Sequence, residues 1–137
     1  MSRKLNVLIV DDSLIMRVNL VRSLEGLGHN IVFEAVDGHS SIEAYKKYKP
    51  DLVTMDITMP DMDGITAVQK IKEFDANANV IMVTSHGQEA MVMNALKSGA
   101  KGYILKPVSL EKLREAIGKI FNELENRAMD EFLDEED

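Results

Sequence analysis

Five short apolar runs divide the chain, and each is followed by a stretch with helical spacing. Leu5 to Val10 is continuous and rich in Val and Ile, so it reads as a strand buried on both faces. Asp11, Asp12 and Ser13 end it. Met16, Leu20, Leu24 and Leu27 then predict a helix, with Asp12 or Ser13 to cap its start and Gly28 to end it. Ile31 to Val36 alternates as a second strand, and Glu34 within it points to a sheet edge. Asp37-Gly38 reads as a turn, and Ser40 to Tyr48 as a short helix closed by Pro50. Leu52 to Met55 is a short apolar run that reads as a third strand. Asp56 follows it directly, before Pro60 and Gly64 mark a loop.

The second half repeats the alternation. Gly64 to Phe74 is a helix with Val68 and Ile71 inward, and Val80 to Val83 is a strand ending at Thr84 and Ser85. Gln88 to Ser98 carries Val92, Ala95 and Leu96 at helical spacing, with Gly99 as its stop. Tyr103 to Leu105 is a last strand ending at Lys106-Pro107. Leu110, Leu113, Ile117, Ile120, Phe121 and Leu124 mark one long amphipathic helix. Five strands alternating with five helices imply a parallel sheet with right-handed crossovers. The expectation is one three-layer α/β domain over residues 1–126, followed by an acidic tail at 127–137.

Composition narrows the function classes. The 137 residues are 45% hydrophobic and 28% charged, ordinary for a globule with a real core. No apolar run approaches membrane-spanning length, and Leu5 to Val10 is too short for a signal-peptide core, so the cytoplasm is the expected compartment. Zero cysteines exclude disulfides and thiolate metal sites. The net charge is −7; residues 127–137 hold one Arg and six acidic residues, hence −5, which leaves −2 for the other 126. Neither a nucleic-acid surface, which needs clustered Lys and Arg, nor an anionic membrane suits that balance. Phe132 and Leu133 in the tail could extend the last helix or dock on a partner. His29 and His39 read as surface loop and turn residues, and the nine Met residues as core filler.

The chemistry converges at the C-terminal strand ends. The first strand delivers Asp11 and Asp12, the third Asp56, the fourth Thr84 and Ser85, and the fifth Lys106. Parallel strands bring these onto one rim, where an open α/β sheet binds its ligands. Three carboxylates side by side call for a cation or a shared proton. An all-oxygen set suits Mg²⁺ or Mn²⁺ over zinc. A hydroxyl and an ammonium beside them fit if an anion is also held, and a phosphoryl group takes one oxygen to each. Asp56 can itself be the nucleophile that forms an acyl phosphate.

Val-Leu-Ile-Val-Asp11-Asp12-Ser, Asp56-Ile-Thr-Met-Pro60-Asp-Met-Asp-Gly64, Thr84-Ser85 and Lys106-Pro107 stand in order over roughly residues 5 to 124. In these motifs the chain resembles the response-regulator receiver domains of two-component signalling. The resemblance implies a flavodoxin-like (βα)5 fold with strand order 2-1-3-4-5. It implies that Asp56 accepts a phosphoryl group from a histidine kinase, and that Asp11, Asp12, Asp56 and the backbone carbonyl of Thr58 hold Mg²⁺. Lys106 is expected to pair with the phosphoryl oxygens, Thr84 to swing toward them, and Tyr103 to move inward behind it. Residues 58 and 86, here Thr58 and His86, are expected to flank the path of a hydrolytic water and tune the lifetime of the phosphoryl group. The Lys106-Pro107 bond is expected to be cis.

Residues 87–103 resemble the chemotaxis branch of that family. Gln88 and Glu89 depart from the lysines of many motor-binding members, and Val108 from their aromatic. The expected output is made by the receiver itself, a monomer. Its fourth helix, fifth strand and fifth helix would bind a target such as a flagellar motor switch protein, and a phosphatase is a further expected partner. A phosphorelay intermediate or phosphate sink is the alternative. A Mg²⁺-dependent aspartyl phosphatase of the haloacid-dehalogenase type would need a second Asp two residues after Asp56, where Thr58 stands. A flavodoxin-type carrier would need a phosphate loop where Asp11-Asp12 would repel its ligand. A structural adaptor leaves Lys106 and Thr84 without a task.

Overall fold

The structure, a computed structural model, describes residues 3–122. The strands are β1 (Asn6–Val10), β2 (Asn30–Ala35), β3 (Leu52–Met55), β4 (Val80–Thr84) and β5 (Gly102–Leu105). They alternate with α1 (Leu14–Gly26), α2 (Gly38–Tyr48), α3 (Gly64–Phe74) and α4 (Glu89–Lys97), and α5 covers 110–122. All strands are parallel, in the order β2-β1-β3-β4-β5. The expected fold class is therefore the observed one. The tail at 127–137, with Phe132 and Leu133, and Leu124 lie outside the described residues.

Alternation along the strands sends side chains to two separate cores. Leu8, Val10, Val53, Met55, Val80 and Met82 face one way and meet Ala67, Val68 and Ile71 of α3. Val7, Ile9, Leu52, Ile81 and Val83 face the other way and meet Leu20 and Leu24 of α1 and Leu113 and Ile117 of α5. Both faces of β1, β3 and β4 are covered, which is why these strands read as unbroken apolar runs. β2 is an edge, as Glu34 suggested: Phe33 is 40% exposed, and the Glu34 carboxylate meets Arg17 Nε at 3.3 Å.

Local chemistry fixes the helix ends. Ser13, not Asp12, caps α1 by accepting the Met16 N–H, which leaves the Asp12 carboxylate free. Gly28 takes φ +93°, a left-handed backbone that side chains disfavour. There Gly28 N–H donates to Glu25 O and His29 N–H to Leu24 O, closing the helix. The predicted turn at Asp37-Gly38 is instead the start of α2. Asp37 accepts the Ser40 N–H while Ser40 Oγ accepts the Asp37 N–H, a reciprocal cap that a turn reading overlooks.

His29 corrects a second expectation. It is buried, and its Nδ1 accepts the Leu5 backbone N–H at 3.1 Å. Without it that donor at the start of the sheet would be buried unpaired. Burial pushes the imidazole pKa down, in keeping with a neutral ring that accepts at Nδ1. His39 is exposed, as expected, although it sits in α2.

Gly118 lies inside α5, where a Cβ would meet only Asn122 Nδ2 at 3.5 Å, an ordinary contact. Packing therefore does not require a glycine there. Gly118→Ala is expected to stabilise the protein by about 0.5–1 kcal/mol, read as a higher denaturant midpoint with unchanged slope. An unchanged or lower midpoint would show that the space is used by something else.

Candidate functional site

The rim forms where five parallel strands end together. Backbone pairing carries the register past the strands: Asp56 N–H donates to Val10 O, Asp11 N–H to Ala35 O, and Lys106 N–H to Thr84 O. Each site residue is thus placed by the strand that precedes it. Asp11, Asp12 and Asp56 bring carboxylate oxygens within 4.8 Å of one another. Asp11 and Asp56 are buried, at 1% and 5% exposure, while Asp12 is exposed.

The buried pair is held in place. Asp11 Oδ1 accepts the Ser13 N–H at 2.8 Å, and its Oδ2 accepts Lys106 Nζ at 3.1 Å. The same ammonium lies 3.6 Å from Asp56 Oδ1. The Lys106–Pro107 peptide is cis, as expected. One ammonium stands among three carboxylates, so the cluster keeps an excess of negative charge. Burial, and next the charge of Asp11, push the Asp56 pKa up; Lys106 opposes them and Asp12 adds to them.

The loop after β3 is built around a close approach. Gly64 N–H donates to Ile57 O at 2.7 Å, and a Cβ on Gly64 would lie 2.0 Å from the Asp56 carbonyl oxygen. Within the loop Asp61 takes φ +68°, and Met62 N–H reaches Pro60 O. Asp63 caps α3 through the Thr66 N–H.

Beyond the carboxylates stand the hydroxyls. Thr84 is fully buried, and its Oγ1 accepts the His86 N–H at 3.4 Å. Tyr103 is half-buried, its hydroxyl donates to the His86 carbonyl, and burial pushes its phenol pKa up. Thr58 is exposed, and its Oγ1 lies 2.6 Å from His86 Nε2, a hydrogen bond in which the imidazole tautomer sets the donor. Ser85 is exposed. The structure therefore gathers Asp11, Asp12, Asp56 and Lys106 in one cluster and Thr58, Thr84, His86 and Tyr103 in an adjoining network.

Sequence reasoning missed Arg17. Its guanidinium donates to the Asp11 carbonyl at 2.8 Å and also meets Glu34, bracing the loop that carries the two aspartates. A basic residue one turn into a helix that follows an Asp-Asp pair was the available signal. The Thr58–His86 contact was missed as well, because it joins two loops.

The donor set fits a divalent hard cation. It is all oxygen, two of its carboxylates are already fixed, and its charge excess is what such an ion offsets. Added Mg²⁺ is expected to raise the melting temperature, since the cluster exists only in the folded chain. Asp12→Asn should raise the metal-free melting temperature by a few degrees and shrink the Mg²⁺ increment. A lower metal-free value on this substitution would count against mutual repulsion at the rim.

The family model for the response regulator receiver domain matches residues 7–118. The chain is 48% identical to the chemotaxis protein CheY of Bacillus subtilis over 116 residues, covering 85% of this chain and 97% of that one. It is 50% identical to CheY of Halobacterium salinarum over 114 residues, 83% and 94% of the two chains. Among solved structures, a chain of the CheX–CheY–BeF3–Mg complex from Borrelia burgdorferi superposes with a TM-score of 0.82 at 43% identity, over 85% of this chain and 88% of that one.

Proposed function

We propose a function from one premise: the chain belongs to the response regulator receiver domain family. Receivers of the CheY type are phosphoacceptors in signalling. In this chain Asp56 is the acceptor, and the observation that carries the reading is its place. It is a buried carboxylate at the end of the central strand, 3.6 Å from the Lys106 ammonium and beside two further carboxylates. The donor is a histidine kinase. A carboxylate oxygen of Asp56 attacks the phosphorus of its phosphohistidine, the P–N bond breaks, and its electron pair stays on the imidazole. The product is an acyl phosphate, with no net redox change.

Each neighbour has a task that its position supports. Burial keeps bulk water from Asp56, and Lys106 offsets the charge that arrives with the phosphoryl oxygens. Asp11, Asp12, Asp56 and the Thr58 carbonyl would hold Mg²⁺, or Mn²⁺, which when bound supplies further positive charge to those oxygens. Thr84 and Tyr103 form the switch. The output surface consists of α4, β5 and α5, where Met93, Leu96 and Leu105 are exposed. Its target is a flagellar motor switch protein, given the likeness to chemotaxis proteins, and a phosphatase completes the partners. The protein acts as a cytoplasmic monomer, and its own turnover is limited to slow loss of the phosphoryl group. Among the described residues no helix is long and apolar enough to cross a membrane.

Incubation with acetyl phosphate and Mg²⁺, followed by mass spectrometry of the intact chain and its peptides, tests the reading. The expected result is one added phosphoryl group on the peptide that contains Asp56, and none when the metal is chelated before the donor is added. Label elsewhere, or none, would overturn it. A relay intermediate or phosphate sink shares every residue of this site. Such a role would show as phosphoryl transfer to or from a second histidine protein, with no gain in binding to the motor protein.

A further inference from the structure

A cavity of about 460 Å³ lies at the end of the sheet opposite the rim, between the start of β1, the end of α1, and α5. Its walls are apolar, formed by Leu5, Leu27, Ile117 and Phe121. Arg3 and Arg114 line it too, and among the described residues no acidic side chain does. Arg3 is held over the Phe121 ring, 5.5 Å from its centre. Each guanidinium meets one carboxylate, Arg3 that of Asp51 at 2.9 Å and Arg114 that of Glu111 at 3.1 Å. Both side chains are more than half exposed, and a guanidinium carries five N–H donors, so each keeps donors for a further anion. A third donor lies deeper. His29 lines the cavity and is only 7% exposed. Its Nδ1 accepts the Leu5 N–H, so the neutral ring carries its proton on Nε2, and no described residue accepts that proton. A buried donor left unmade costs free energy, which favours an acceptor in the cavity.

We infer that this cavity is a seat for the chain's own acidic tail, with Phe132 and Leu133 against its apolar walls and tail carboxylates on Arg3, Arg114 and His29 Nε2. The chemistry of the tail matches the seat. Phe132-Leu133 stands between Asp130-Glu131 and Asp134-Glu135-Glu136-Asp137, so carboxylates flank the apolar pair on both sides. Residues 127–137 carry −5, and the cavity offers two cations. The starting point of the tail matches as well. Asn122, the last described residue of α5, itself lines the cavity. Residues 123–131 are all that separate it from Phe132. A tether that short gives an effective concentration on the order of millimolar, so a contact too weak for free partners holds within one chain. The seated tail ties α5 to the end of α1 and the start of β1. The phosphoryl chemistry sits at the other end of the sheet, so the inference goes beyond the acceptor reading and does not depend on it.

The test uses the full chain at low salt. It has no cysteine, so Asp137→Cys gives a single attachment point for a nitroxide. Paramagnetic broadening is read at the backbone amides of Gly26, Leu27 and His29, which line the cavity but lie far from the tail in sequence. These signals should broaden, while those of Asp56 and Lys106 at the rim should not. Phe132→Ser/Leu133→Ser should lower the seated-to-free ratio about tenfold or more. Arg3→Gln/Arg114→Gln should lower it by roughly two- to tenfold, and neither arginine belongs to a core. The amide spectrum of the remaining residues shows that each variant is folded. Without the nitroxide, the Gly26, Leu27 and His29 amide shifts should differ between the wild type and Phe132→Ser/Leu133→Ser. Coincident shifts there, or broadening that either double variant leaves unchanged, would overturn the seat. So would broadening found only when nitroxide-bearing chains are mixed with isotope-labelled chains that lack it, since the tail would then come from a second copy. No broadening at His29 would show that the tail is not the occupant.

Discussion

Asp56→Asn is expected to abolish phosphoryl uptake and, at the same time, to make the metal-free protein more stable. The two effects have one origin. The carboxylate is buried beside Asp11, and burial together with that neighbour raises its pKa above the ordinary 3.8. A carboxyl that holds its proton more tightly when folded favours folding at low pH. That contribution is fully present below the unfolded pKa and is lost as pH rises through the higher folded value. At neutral pH the ionised Asp56 is therefore a cost, which Asn removes at nearly constant shape. Lys106 keeps Asp11 as its partner at 3.1 Å, so the substitution strands no ammonium. The gain should be on the order of 1 kcal/mol. Melting curves of wild type and variant should coincide near pH 3 and separate as pH rises toward 7, roughly across the titration range of a raised carboxyl. A variant less stable than the wild type at neutral pH would mean that Lys106 outweighs burial and Asp11 together. Phosphoryl uptake, read by mass, should fall to background whatever the pH.

Gly64→Ala is expected to be the most damaging single substitution in the loop. The added methyl would stand 2.0 Å from the Asp56 carbonyl oxygen and 3.0 Å from the Ile57 Cα. These are backbone atoms, so no rotamer change relieves the clash. The chain must give up the Gly64–Ile57 hydrogen bond or shift Asp56 itself. A loss on the order of 3 kcal/mol is expected, with the denaturant midpoint as the measure. Where the variant stays folded, Mg²⁺ should raise its melting temperature less than it does for the wild type, because Asp56 no longer meets Asp11 and Asp12. A variant with wild-type stability and a full Mg²⁺ increment would show that the loop yields without moving the site.

Most of the fold was legible because its central strands are covered on both faces. Burial on both faces leaves short runs dominated by Val, Ile, Leu and Met, bounded by turn residues that set their length. Parallel pairing then sets Asp11, Asp12, Asp56, Thr84 and Lys106 at the same ends of their strands, and the geometry gathers the three aspartates and Lys106 into one cluster, with Thr84 in the network beside it. What stayed hidden was set by distant partners. His29 looks like a surface residue until Leu5, 24 positions away, is seen donating to it. Asp37-Gly38 carries the letters of a turn and of a helix cap alike, and the Ser40 reply decides between them. Gly64 reads as a loop marker, while its necessity comes from a carbonyl eight residues earlier. The Thr58–His86 bond joins residues 28 positions apart, beyond the reach of any local pattern.

The ion pair between Lys106 and Asp11 spans 95 positions of the chain and ties the first strand to the last. A ribosome releases those two residues far apart in time, and contacts of such separation form late. β1, β2 and β3 can pair as soon as the first half emerges, so Asp56 exists early as a strand-end carboxylate. Its ammonium arrives only with β5. A nascent or truncated chain would therefore carry the proposed acceptor without the ammonium proposed to stabilise what it accepts, and competence to be modified would then certify that synthesis has reached the last strand.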